Sequence, residues 1–107
     1  MELKKLENIF QEKDDVLLAG SVVEYFKRDY ELTKEPVGLE SPSFIATIQE
    51  DWQELAEKGS IDLSKISDSK YRVRSSDVED KLPKILQKLV EENYLKQIGD
   101  KYIFNLK

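Results

Sequence analysis

The sequence predicts an α+β fold, mostly α, with three amino-terminal helices followed by a fourth helix and a β-hairpin. Three observations predict it. Apolar residues recur at three- and four-residue steps through most of residues 1–60, as on one face of an α-helix. A further stripe of this kind runs from Val78 to Val90. The segment behind it alternates apolar and polar side chains around Gly99-Asp100, the pattern of two strands joined by a tight turn. At 107 residues and 39% hydrophobic content the chain suits a single domain, in which residues 1–60 form a helical part and residues 61–107 a helix-and-hairpin part.

Leu3, Leu6, Ile9 and Phe10 predict a first helix over Glu2 to Lys13. Asp14-Asp15 offers a cap for a second helix over Val16 to Tyr30, where Val16, Ala19, Val23, Phe26 and Tyr30 keep helical steps. Leu17, Leu18 and Val22 add a second apolar face. A helix apolar on two sides is central to a core or to a partner interface, so these three are the expected contact row of a homodimer. Leu32 to Glu40 holds Pro36 and Gly38 and reads as a loop. Ser41-Pro42 is a strong helix start, with serine as cap and proline in the first turn. Phe44, Ile45, Ile48, Trp52 and Leu55 form the stripe of this third helix, and Gly59 fits its end. Trp52 shares that stripe, which expects it in the core rather than on display as a partner anchor. Ser60 to Asp68 reads as a connector. The alternation in Lys70-Tyr71-Arg72-Val73-Arg74 suits a strand that would join the hairpin in a small three-stranded sheet.

Ser76, with Glu79 three residues on, has the spacing of a capping box. Val78, Leu82, Ile85, Leu86, Leu89 and Val90 follow on one face. Pro83 lacks an amide hydrogen and disfavours a helical Leu82, which expects either a kink or a regular helix beginning close to the proline. Asn93 tolerates the left-handed conformation that ends helices. Tyr94 to Ile98 and Lys101 to Phe104 are the hairpin strands, and their apolar face must pack on the helices to be stable. The run VEDKLPKILQKLVEENYLKQIGDKYIF resembles the third helix and wing of winged helix-turn-helix domains, with Asn93-Tyr94-Leu95 as the exit from helix to wing. The resemblance covers about the last thirty residues. It implies a winged-helix-like protein that binds DNA and regulates transcription, or a docking unit for another protein. No second helix separated from the third by a short turn is evident upstream.

The chain has no cysteine and no histidine, which removes disulfides, thiolate chemistry, the usual general base and the commonest metal ligand. No phosphate-binding glycine loop or nucleophile motif is present. The expectation is a protein that is not an enzyme and takes no cofactor. Glu50, Asp51 and Glu54 could meet a hard cation, yet they lack the spacing of a calcium loop and suit a solvated helix face. No segment approaches the roughly 20 apolar residues that span a bilayer, and the start lacks the apolar core of a signal peptide. A cytoplasmic protein without a membrane partner is expected.

The net charge of −5 is uneven. Residues 1–69 carry 8 Lys/Arg against 16 Asp/Glu, and residues 70–107 carry 9 against 6. Such asymmetry points to an anionic partner at the carboxy-terminal end. The candidate phosphate contacts are Lys70, Arg72, Arg74, Lys81, Lys84, Lys88, Lys96 and Lys101. Lys81, Lys84 and Lys88 share a helix face, and Arg72 and Arg74 would point the same way in a strand. Equally, Asp77–Lys81, Asp80–Lys84 and Lys88–Glu92 have the spacing of surface ion pairs that only solubilise a helix. Tyr94 and Tyr102 could stack on a base or pack within the hairpin. The two functional readings, nucleic-acid binding and an acidic protein-interaction module or inhibitor, both remain open at this level.

Overall fold

The computed structural model describes residues 3–105. In them, four helices and a three-stranded antiparallel sheet follow one another as α1 (Leu6–Ile9), α2 (Lys13–Leu32), β1 (Val37–Gly38), α3 (Pro42–Glu57), a 3-10 turn at Leu63–Lys65, α4 (Ser75–Glu91), β2 (Leu95–Ile98) and β3 (Lys101–Phe104). The mostly-α, α+β class expected from the sequence is the one observed. Among the described residues no helix is long and apolar enough to cross a membrane.

The first helix is shorter than expected: only Leu6–Ile9 is helical, and Glu2 lies outside the described residues. Phe10 takes an extended conformation and is buried. Breaking the chain there lets Phe10 turn into the core, which one rod continuous with α2 would prevent. α2 begins at Lys13 with Glu12 as its N-cap, so Asp14 and Asp15 stand in its first turn rather than at the cap. There they favour the positive end of the helix dipole. They also tie other elements to it: Asp14 accepts from the Asp62 amide at 2.9 Å, and Asp15 lies 3.1 Å from Lys81 Nζ.

α3 starts as the sequence predicts. The Ser41 hydroxyl accepts from the Phe44 amide at 3.5 Å, and Pro42 is the first helical residue. At its end Gly59 has φ +73°, and the Ser60 and Gly59 amides return to the Leu55 and Ala56 carbonyls. This is the Schellman closure that glycine permits. α2 and α3 run antiparallel: Trp52 Nε1 donates to Ser21 Oγ at 2.9 Å, while the Phe26 and Phe44 rings meet further along α2 at 5.2 Å. Trp52 is fully buried, as its stripe predicts, and the Ser21 hydroxyl passes the chain on to the Leu18 carbonyl.

The third strand is a correction. Lys70–Arg74 forms no strand; the third strand is Val37–Gly38, inside the stretch expected to be a loop, and the sheet order is β1-β3-β2. The reason lies on α3. Gln53 accepts from the Val73 amide at 2.6 Å and donates to the Tyr71 carbonyl, and Gln49 donates to the Val73 carbonyl at 3.0 Å. Two glutamines therefore satisfy the backbone that a neighbouring strand would otherwise satisfy, and Val73 is plugged into the core.

α4 is also corrected at its start. Its N-cap is Arg74, whose amide donates to Asp77 Oδ2 at 2.8 Å, so the Ser76–Glu79 box does not form. The helix runs unbroken through Pro83. A proline inside a helix costs about 3 kcal/mol. Val78 and Leu82 before it and Leu86 and Leu89 after it are fully buried, and burial of each stabilises by about 1.5–3 kcal/mol. The end matches expectation: Asn93 has φ +67°, and the Tyr94 amide reaches the Leu89 carbonyl at 2.9 Å. The hairpin turns at Gly99, φ +63°, with Leu95 opposite Phe104 and Gln97 opposite Tyr102.

Candidate nucleic-acid interface

Position along α4 and register along the hairpin decide where the eight candidate cations go. Opposed residues on paired strands share a face, and successive residues alternate. Leu95, Gln97, Tyr102 and Phe104 therefore form the inner face of the hairpin, on which Leu95 is buried against the helices. Lys96, Ile98, Lys101 and Ile103 form the outer face. Lys96 and Lys101 are exposed there, beside an Ile98 that is itself 54% exposed.

On α4 the lysines part company. Lys84 and Lys88 are exposed, whereas Lys81 is half-buried and joins α4 to the start of α2 through Asp15. Arg74 is likewise committed to structure, with its guanidinium 3.4 Å from Asp77 and 3.9 Å from Asp68. Burial alone would raise the Asp77 pKa, but the Arg74 amide, the Ser67 hydroxyl and the Arg74 guanidinium together hold it below its ordinary value. None of the three expected helical ion pairs is made among the described residues: Asp77 turns to Arg74, Lys81 to Asp15, and Glu92 to Lys4 at 3.8 Å.

Lys70 and Arg72 lie apart from both groups, in the connector before α4. Arg72 and the 84%-exposed Tyr71 line a shallow groove against α3 together with Glu50, Glu54 and Glu57. Arg72 thus shares that groove with three glutamates. Lys70, Arg72, Lys84, Lys88, Lys96 and Lys101 are all exposed with no ion pair among the described residues, and of these Lys84 and Lys88 lie on α4 and Lys96 and Lys101 on the hairpin. Asp80 and Glu91 are exposed on the same helix. Tyr102 packs against the core, and Tyr94 does too, with its hydroxyl donating to the Lys4 carbonyl. Burial and nearby Glu7 raise the Tyr94 pKa.

The expected partner row is overturned in two of its three members. Leu18 and Val22 are wholly inaccessible, buried on the α3 side of α2 with Ala19 and Phe26, and only Leu17 is partly exposed. What sequence reasoning missed is the adjacent flank of α2, which also borders α3. A groove of about 550 Å³ runs between α2 and α3, from Leu17 at one end to Leu32 at the other. Its signal is in the sequence, because Leu17, Glu24, Arg28 and Leu32 follow helical steps one residue out of phase with the core stripe. Asp51 faces the same groove. Burial raises its pKa, nearby Glu54 and Glu50 add to the rise, and Arg28 opposes it. Among the described residues no group of His, Cys, Asp or Glu side chains is placed to hold a metal ion.

Compared with protein-family models, curated proteins and solved structures, the chain matches none.

Proposed function

We propose that the chain is a small winged-helix-like nucleic-acid-binding protein with a transcription-regulatory role, in which α4 and the hairpin meet the phosphate backbone. The observation that carries this reading is the exposure of Lys96 and Lys101 on one outer face of the hairpin that α4 leads into, with exposed Lys84 and Lys88 on α4. The order α2–β1–α3–α4–β2–β3 and the sheet order β1-β3-β2 support it, since they put the hairpin directly after α4, where a wing would stand. The span between α3 and α4 is longer than the short turn of a helix-turn-helix, so the contacts assigned are to phosphates and not to base edges. A cytoplasmic location belongs to the same reading.

A second reading, a protein-interaction module, is favoured by one observation: Asp80 and Glu91 share α4 with the two lysines, and like charge repels DNA.

Titration of a labelled duplex at low salt separates the two. Counterion release by four lysine–phosphate contacts gives a slope of log affinity against log salt of roughly −3 to −4. Charge reversal of Lys84 and Lys88, or of Lys96 and Lys101, should each weaken binding by at least about tenfold and halve that slope. A duplex that stays unbound at the highest protein concentration in low salt would overturn the nucleic-acid reading in favour of the interaction module.

A further inference from the structure

We infer that the α2/α3 groove is the interface of a two-fold homodimer, in which α2 lies antiparallel against the same helix of a second copy. The inference is independent of the nucleic-acid reading.

The flank of α2 that lines the groove runs in three- and four-residue steps from Leu17 to Leu32. Such a row is what one helix offers to another packed along it. Its residue types complement themselves on reversal. A two-fold axis between Glu24 and Tyr25 sets Leu17 against the partner's Leu32, an apolar contact at each end. Gly20 and Ser21, the two small residues, come opposite the partner's Asp29 and the partner's Arg28, which are bulky. Small residues opposite large ones let the helices approach without a clash.

Charge follows the same symmetry. Among the described residues neither Arg28 nor Glu24 makes an ion pair, although Arg28 lies near enough to Asp51 of its own chain to oppose the rise of that carboxyl's pKa. Glu24 stands one helical turn from Ser21, so each Arg28 reaches the partner's Glu24 across the seam. An isologous interface must carry both signs on one patch, because each patch meets a copy of itself. Leu32 supplies a further reason for a cover. It is 78% exposed at the end of α2, a large apolar side chain with water on most of its surface.

Sedimentation equilibrium of the full chain across the micromolar range tests this. The expected result is a monomer–dimer equilibrium that Leu32→Glu, at an already exposed position, weakens by at least about tenfold while the far-UV dichroism stays unchanged. The chain has no cysteine, so Leu17→Cys/Leu32→Cys introduces the only thiols. These sites are about 22 Å apart along one α2 and cannot bridge within a chain. Mild oxidation should convert the variant to a covalent dimer. A wild-type chain that remains monomeric, a dimer that Leu32→Glu leaves untouched, or a cysteine variant that fails to cross-link would each overturn the inference.

Discussion

Asp77 performs several tasks at one position. It is nearly buried, caps α4 through the Arg74 amide and anchors the Arg74 guanidinium. Its pKa is lower in the folded than in the unfolded chain. Its contribution to stability is therefore complete above the unfolded value of about 3.9 and is lost as pH falls through the folded one. Asp77→Ala should destabilise the protein by about 1–2 kcal/mol at neutral pH. Urea melts at successively lower pH should show the difference from wild type shrinking once the carboxylate protonates; a gap independent of pH would assign the loss to packing instead. Asp51 has the opposite sign. Burial first, and the neighbouring Glu54 and Glu50, raise its pKa, so its charged form opposes folding and acid relieves the opposition. Of these two residues, Asp51 was expected on a solvated outer face of α3, whereas it is half-buried and lines the groove against α2. Asp77 as cap was not legible, because Ser76-x-x-Glu79 and Arg74-x-x-Asp77 compete and only the burial of Val73 and Val78 selects the second register.

At the scale of elements, α4 shows packing overriding local preference. Pro83 removes a backbone donor, yet the helix continues because apolar anchors on both sides must stay on one face. Pro83→Ala should restore the missing bond and raise stability by about 1–3 kcal/mol, readable as a higher thermal midpoint with unchanged helical dichroism. A neutral or lower midpoint would mean that the proline ring contributes packing of comparable size. The sequence made the closing of α3 and α4 plain, through Gly59 and Asn93, since positive φ is a property of the single residue. It did not show β1. A two-residue strand has no periodicity to read, and its pairing with Tyr102 and Lys101 depends on a return of the chain from far along the sequence. Nor did it show that two α3 glutamines would hold Tyr71–Val73, because side-chain-to-backbone bonds between distant segments leave no local pattern.

The whole molecule is joined by one continuous cluster of buried side chains that reaches from Phe10 to Leu95 and takes in α2, α3, α4 and β2. The helical first part and the helix-and-hairpin second part therefore share a core. Near-UV dichroism of Trp52, which reports the α2/α3 packing, and far-UV dichroism, which reports all helices, should trace coincident denaturation curves. A fragment of residues 61–107 alone should be unfolded. Separate transitions, or a folded fragment, would divide the molecule into two cooperative units.

Composition, apolar spacing and residue-specific backbone preferences were enough to determine the class of fold, the existence of the three long helices and the hairpin, the burial of Trp52 and the uneven charge. These are local or summed properties, and each element carries its own record of them. Only the tertiary structure decided which apolar face of α2 would be covered, which segment would become the third strand, and which cations would be consumed by Asp15, Asp68 and Asp77. Periodicity says that a face is apolar and never what will meet it; the meeting depends on how distant segments fit together in space.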